Sequence, residues 1–278
     1  MNTKICGVRI SLGGVAMDFD LDAGWQIRPA GGNTGAAFVG TRAQEKIFLK
    51  RNTSPFLAAL SMEGITPRLI WTKRISSGDV LTAQEWLNGR TLTRSEMGNA
   101  QVAKLLARIH HSKLLKRMLR RVGGLTVTSN HFLRQYYLNL SSDLRGHPLL
   151  KQVFTYLIQN KPVFDPEQLE VCHGDLNHKN WLLSDQKRLY LVDWDDAMFA
   201  DAAFDLSTIL CQYLPRAKWA NWLHEYGVDS DPNMIQRIEW YGFLNLLLGI
   251  KRFHGEQRYY EMNQALLQLR ELFTTRSK

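Results

Sequence analysis

The sequence predicts an α+β protein of two lobes, a small and mainly β N-terminal lobe followed by a larger and mainly helical C-terminal lobe. Between Trp25 and Leu87 the short apolar runs KIFLK, RLIW and VLTAQEWL alternate with Gly-rich punctuation such as PAGGNTGAAFVG, the pattern of strands and turns. After Asn88 and Gly89 the period changes. Val102, Leu105, Leu106 and Ile109 recur at i, i+3, i+4 and i+7 behind a Thr93/Glu96 pair with capping-box spacing, which is the start of an amphipathic helix. Inside the helical half, LEVCHGD and NWLLSDQKRLYLVDWD revert to short strands flanking turns, with DQK at one tip.

Taken in order, residues 1–16 lack a clear periodic pattern and Arg9 interrupts any apolar leader, so they are read as an N-terminal extension, native or not, that leaves activity unchanged when removed. Residues 17–87 form the β lobe and its exit, and 88–278 the helical lobe. Further helices are expected at HFLRQYYLNL, LLKQVFTYLIQN, AAFDLSTILCQYL, KWANWLHEY, MIQRIEWYGFLNLLLGIKRF and YYEMNQALLQLRELF. No repeat, low-complexity segment or long linker interrupts them.

Hydrophobic residues make up 45% of the 278 and charged residues 22%, values of a folded globule that can bury a sizeable core. The most apolar stretch, YGFLNLLLGI, is far short of the roughly 20 residues needed to cross a bilayer, so a cytoplasmic protein is expected. Cys6, Cys172 and Cys211 are too scattered for a disulfide framework or a paired-ligand zinc site, and are expected to be reduced and buried. A formal charge of +9, from 35 Lys and Arg against 26 Asp and Glu, favours anionic partners without choosing among them. The densest basic run, KLLKRMLRR, has no recognised binding motif beside it and reads as a solvated helix face, so nucleic acid is not the expected partner.

The chemistry is carried by HGDLNHKN at 173–180 and by the apolar run ending in Asp193. A polar turn between two strands would use the same residue types. Moving the terminal phosphoryl group of a nucleotide, however, needs a hard cation, an in-line nucleophile and a late proton acceptor. Asn180 and Asp193 supply a carboxamide and a carboxylate, oxygen ligands that leave Mg2+ its waters and the phosphate oxygens. Asp175 is then left to orient an acceptor hydroxyl and take its proton as bond formation acidifies it.

HGDxxxxN, an apolar strand ending in Asp thirteen residues later, and FDLS at 204–207 together resemble the catalytic loop and metal-binding segment of the aminoglycoside phosphotransferase and choline kinase superfamily. The resemblance covers nearly everything after Met17. It implies the bilobal protein-kinase-like fold, with ATP and Mg2+ as cofactors and a small-molecule hydroxyl acceptor. It implies that Lys50, ending KIFLK, is the phosphate-binding lysine and that Glu63 is its ion-pair partner. Gly31, Gly32, Asn33, Thr34 and Gly35 fall where backbone N–H groups cover the nucleotide, a plain hairpin turn being the alternative. Gln84, Glu85, Trp86 and Leu87 fall at the hinge that meets adenine. His173 holds the catalytic loop, Asp205 braces it, and Trp194, Asp195 and His178 are candidates for the acceptor.

Within the superfamily, KRNTSPFLAAL, ITPRLIW, AQEWLNGRTL and YLVDWD look most like the CcrZ (YtmP) phosphotransferases of Gram-positive bacteria. That likeness implies a ribose or 2-deoxyribose compound as acceptor and a link to cell-cycle control through a cell-division protein partner. Only eleven residues separate Asp193 from Asp205 and no APE motif follows, so a peptide platform of the protein-kinase kind is not expected. Choline or an aminoglycoside is the alternative acceptor, and a catalytically silent kinase-fold scaffold that binds a protein is the alternative class. Trp219, Trp222, Trp240, Tyr241, Tyr259 and Tyr260 either pack the helices or stack on the acceptor.

Overall fold

Alternation along EKIFLKR decides how the N-terminal sheet is built: Ile47 and Leu49 turn into an apolar layer, while Lys46, Phe48 and Lys50 share the other face. The computed structural model describes residues 9–12, 15–30 and 36–276, with side chains from Phe19 onward. β1 (Arg9–Leu12) and β2 (Val15–Asp18) pair antiparallel, so residues 9–12 of the stretch read from sequence as an extension (1–16) pair with a strand that runs past its end to Asp18. β3 (Gln26–Pro29), β4 (Ala37–Arg42), β5 (Glu45–Arg51), β6 (Leu69–Arg74) and β7 (Val80–Glu85) form an antiparallel sheet of order β3-β4-β5-β7-β6. Phe19, Leu21, Phe38, Ile47, Leu49, Ile75, Leu81 and Ala83 make its core, flanked by Trp25, Ile27 and Trp71. Each fully buried Leu or Phe there stabilises by roughly 1.5–3 kcal/mol relative to exposure.

A single short helix, α1 (Phe56–Met62), crosses between β5 and β6 in sequence and buries Phe56, Leu57, Ala59 and Leu60. Gly64 ends it: its φ of +65° lets Ile65 N–H reach back to Leu60 O at 2.9 Å, a left-handed cap that a residue with a Cβ adopts only under strain. A second sheet of order β11-β10-β8 is made by β8 (Gly89–Thr91), β10 (Trp181–Ser184) and β11 (Leu189–Leu191). The turn between β10 and β11 carries DQK at its tip, with Lys187 at φ +64°.

The chain divides into two compact units, residues up to Arg90 with Leu182–Asp195, and Thr91–Trp181 with the residues from Asp196 on. The segment carrying Asp193 therefore clusters with the β unit, although it lies among the helices in sequence. In the helical unit the Thr93/Glu96 capping box forms, with Thr93 N–H on Glu96 Oε2 at 2.8 Å, but it starts a 3-10 turn at Arg94–Gly98. Asn99, extended at ψ 145°, breaks that turn, and α2 (Ala100–His110) begins after it. Ser112 then caps a separate helix, α3 (Lys113–Arg121), so the basic run does not continue α2.

The remaining helices are α4 (Ser129–Tyr137), α5 (Ser142–Gly146), α6 (Pro148–Gln159), α7 (Ala202–Tyr213), α8 (Trp219–Tyr226), α9 (Pro232–Gly255) and α10 (Tyr259–Thr274). α9 opens on an Asp231 cap with Pro232 at its first position, where the missing N–H costs nothing. Its apolar stripe, from Ile238 to Ile250, packs on α7 and α10. Trp219, Trp222, Trp240 and Tyr241 are all core, whereas Tyr259 and Tyr260 are exposed. β9 (Leu169–Cys172) and β12 (Met198–Asp201) pair antiparallel and deliver the loop that follows Cys172. Cys172 and Cys211 are free and buried. Among the described residues no helix is long and apolar enough to cross a membrane.

Candidate active site

Strand register brings Lys50 to its place. Its backbone is paired to Ala37 on β4 and Thr82 on β7, and the Thr82 hydroxyl donates to Lys50 O at 3.0 Å. From there Nζ donates to Asp193 Oδ1 at 2.7 Å and to Asp195 Oδ2 at 2.8 Å. Burial pulls the lysine pKa down, but the hydrogen bonds and charges of the two aspartates outweigh it and the net shift is upward. The ammonium is therefore the charged form at neutral pH.

The two carboxylates arrive together because β11 stops at Leu191 and the backbone turns sharply. Asp193 takes φ +66°, a conformation uncommon outside glycine and most accessible to Asp and Asn. Between them Trp194 is buried, donating its indole N–H to Leu191 O at 2.9 Å and meeting the Phe56 ring edge-on at 6.0 Å. Trp194 thus anchors the turn, and Asp193 and Asp195 on either side of it both engage Lys50. Glu63, expected from resemblance as the partner of Lys50, stands at the C-terminal cap of α1. The carboxylates on Nζ are those of Asp193 and Asp195.

At the end of β7, Gln84 is buried and donates through Nε2 to Pro67 O at 2.9 Å, while Glu85 N–H bonds Arg68 O at 2.8 Å. Trp86 carries the Lys46 ammonium 3.7 Å from its ring centroid and donates to Asn88 Oδ1 at 3.2 Å; Leu87 is half-buried. Gly31, Gly32, Asn33, Thr34 and Gly35 lie outside the described residues.

In the helical unit the loop after β9 holds the second cluster. Gly174 takes φ +90°, and a Cβ there would stand 2.8 Å from Asp196 O, so both the conformation and the space call for glycine. Asp175 Oδ2 accepts from Asn177 Nδ2 at 2.8 Å and from Asn180 Nδ2 at 3.3 Å, and Asn180 Nδ2 also donates to Asp175 O at 2.8 Å. Asn177 Oδ1 in turn accepts Lys179 N–H at 2.9 Å, capping the 3-10 turn His178–Asn180. The carboxylate is held in one rotamer by two carboxamides. Nothing in the apolar pattern marks Asn177, although its spacing of two from Asp175 is that of an Asx contact.

Asp205 on α7 is buried and braces this loop, accepting His173 N–H at 2.8 Å and Gly174 N–H at 3.2 Å. The His173 ring faces inward and accepts Asp175 N–H on Nδ1 at 3.2 Å. His178 donates its backbone N–H to the Tyr213 hydroxyl at 3.2 Å, and the Arg94 guanidinium lies 4.6 Å from the Tyr213 ring centroid. Burial, then the Arg94 and Lys179 charges, lower the His178 pKa, so this imidazole is neutral at neutral pH.

The arrangement suits two kinds of work. A carboxylate pinned beside its own backbone, as Asp175 is, can orient a hydroxyl and accept its proton. Asn180 has its amide nitrogen committed to Asp175, which fixes the direction of its oxygen, and a carboxamide oxygen is a hard ligand. Asp193 and Asp195 already hold a cation between them, the Lys50 ammonium, so their oxygens fit a Mg2+ ion by charge and by donor type.

Residues 29–241 match the phosphotransferase enzyme family. Among solved structures the chain is similar to choline kinase LicA from Streptococcus pneumoniae, at 16% identity and a TM-score of 0.63, over 88% of this chain and 93% of that one. A choline/ethanolamine kinase family protein from Mesorhizobium loti matches at 14% and 0.63, over 90% and 88%. Spectinomycin phosphotransferase APH(9)-Ia, in complex with ADP and spectinomycin, matches at 15% and 0.59, over 91% and 89%. These likenesses show the fold, a mixed α+β chain with an N-terminal antiparallel sheet and a helical C-terminal part, as the superfamily resemblance implied.

Proposed function

Because the chain belongs to the phosphotransferase enzyme family, whose members pass a phosphoryl group to a hydroxyl, we propose that it transfers the γ-phosphoryl group of ATP to a small sugar or nucleoside of ribose or 2-deoxyribose type. The observation that carries this reading is the Asp175 carboxylate, fixed by Asn177 and Asn180 on a loop braced by Asp205. Asp175 orients the acceptor hydroxyl and takes its proton late in the transfer. Lys50 meets the nucleotide phosphates, and Gln84 to Leu87 meet the base. Asn180 and Asp193 each supply an oxygen ligand for Mg2+, which when bound neutralises charge on the phosphates.

Two observations support a neutral sugar over a cationic acceptor. Arg94, beside Tyr213 and His178, and Lys179, on the Asp175 loop, are positive charges unfavourable to a quaternary ammonium or a polyamine. Of the six aromatics from which a cage would be drawn, Trp219, Trp222, Trp240 and Tyr241 are committed to the core, and only Tyr259 and Tyr260 are exposed. The likeness of KRNTSPFLAAL and YLVDWD to CcrZ proteins supports the same acceptor class and a role in cell-cycle control through a cell-division partner. The second reading, a choline or aminoglycoside phosphotransferase, is favoured by what LicA and APH(9)-Ia act on.

The deciding experiment is initial rate with ATP and Mg2+ against ribose, 2-deoxyribose, their nucleosides, choline and kanamycin at matched concentration, with product identified by mass. Turnover of the ribose compounds is expected. Turnover of choline or kanamycin alone would replace the acceptor, and no turnover of any would favour a silent scaffold.

A further inference from the structure

We propose that Tyr226 and His110 form a positioning relay that fixes, through Asp205, the backbone from which Asp175 projects. The proposal concerns the loop's geometry, and rests on the proposed role of Asp175 only where activity is the readout. Tyr226 on α8, His110 at the end of α2 and Asp205 on α7 are 3%, 0% and 1% exposed. His110 Nε2 stands 3.2 Å from Asp205 Oδ2, and His110 Nδ1 stands 2.7 Å from the Tyr226 hydroxyl.

The directions of these bonds follow from one another. An aspartate carboxylate only accepts, so the imidazole proton is on Nε2. In the neutral imidazole Nδ1 then presents a lone pair, and the Tyr226 O–H donates to it. Burial, together with nearby thiol and carboxyl groups, raises the Tyr226 pKa, so the phenol keeps the proton it donates. Its ring is held by Trp222, stacked at 6.1 Å and 8°, and by the tilted His111 ring at 5.9 Å. Asp205 passes the constraint on, since Oδ2 receives His110 and His173 N–H while Oδ1 receives Gly174 N–H. His173 Nδ1 finally receives Asp175 N–H.

A buried metal would offer another reason for this cluster, because His110, Cys172 and Asp205 ligand atoms lie within 4.8 Å of one another. Cys172 argues against it. Its thiol, pushed well up by burial and by the Asp205, Asp201 and Glu170 charges, donates to Ala200 O and Asp201 O at 3.7 and 3.6 Å. The cluster is a hydrogen-bonded brace. Without the Tyr226 hydroxyl, Asp205 still keeps the imidazole proton on Nε2, but the buried Nδ1 loses its donor and the ring is no longer fixed against the carboxylate.

The test compares native protein with Tyr226→Phe, His110→Gln and His110→Leu. Tyr226→Phe is expected to lower kcat about five- to tenfold, the effect of roughly one buried hydrogen bond, with KM for both substrates unchanged. Nitrogen NMR should place the His110 proton on Nε2 in the native protein and in Tyr226→Phe alike, with the Nδ1 resonance moving in the variant as it loses its donor. Amide exchange at His173 and Gly174 should quicken while the sheet of the β unit keeps its protection. His110→Gln, whose amide can donate to Asp205, should retain more activity than His110→Leu. A native proton on Nδ1, or Tyr226→Phe with native kcat and native protection at His173 and Gly174, overturns the relay. The tautomer and exchange measurements stand whatever Asp175 does, so an active Asp175→Ala would remove the catalytic reading alone. If His110→Leu fails to fold, native NMR and Tyr226→Phe still decide.

Discussion

Replacing Asp205 with Asn keeps the shape of the side chain and removes its charge and one acceptor. The native carboxylate, 1% exposed, receives three N–H groups, from His173, Gly174 and the His110 ring. Asn has a single oxygen. The least costly orientation keeps that oxygen on His173 and His110 and sets an NH2 against Gly174 N–H. One charge-assisted bond, worth about 1.5–3 kcal/mol, is lost, and the other two weaken by about 1 kcal/mol each as they become neutral. Relief of the desolvation cost of a buried carboxylate offsets part of this. The expected net loss is about 3 kcal/mol, within the 3–5 kcal/mol typical of breaking a buried charged network. The assay is urea unfolding at neutral pH with the slope against denaturant unchanged, so that the midpoint reports stability. Turnover should fall as the loop loosens. A loss under about 1 kcal/mol with native turnover would refute the reasoning, since the three bonds would then carry little.

Lys50 gives a pH-dependent expectation. Its pKa is raised above the ordinary 10.5, so its ion pairs contribute fully below that value and fade as pH rises through the higher folded one. The difference in melting temperature between native protein and Lys50→Met should hold steady from neutral pH and shrink in strong alkali, and a gap that widens there would contradict the pairing. Gly174→Ala, forced to φ +90° with its Cβ 2.8 Å from Asp196 O, should lose about 1–3 kcal/mol in the same unfolding assay and slow turnover. Native stability in that variant would show that the loop relaxes without cost.

The residues most legible in the sequence were those whose chemistry resists a packing explanation. HGDLNHKN packs little apolar surface, so its carboxylate and carboxamides invited a chemical reading, and the structure does bring Asp175 and Asn180 together. Lys50 was singled out only by the family resemblance, and the alternation that puts Ile47 and Leu49 in the core then fixes which face it takes. What escaped depends on contacts far apart in sequence. Asp195 joins Asp193 on Lys50 only because buried Trp194 anchors the turn between them, and no local pattern separates that outcome from a Glu63 pair. Trp194 read as a possible acceptor surface for the same reason. His110 and Tyr226, 116 residues apart, look like an ordinary helix end and an ordinary core aromatic until the fold joins them. The capping box at Thr93 was read as the start of the amphipathic helix, but it opens only the 3-10 turn Arg94–Gly98, and the helix begins separately after Asn99, whose extended backbone no hydrophobic period signals.

Turnover and nucleotide affinity of Asp175→Ala, measured side by side with a ribose-type acceptor, test the central claim most directly. Asp175 is proposed to act on the acceptor hydroxyl, and Lys50, Asp193 and Asn180 are proposed to meet the nucleotide and its metal. The account predicts a fall in kcat of about 10²–10⁴-fold, the range for losing a positioned general base, with the Kd for Mg2+-ATP little changed. Native turnover in this variant would contradict it.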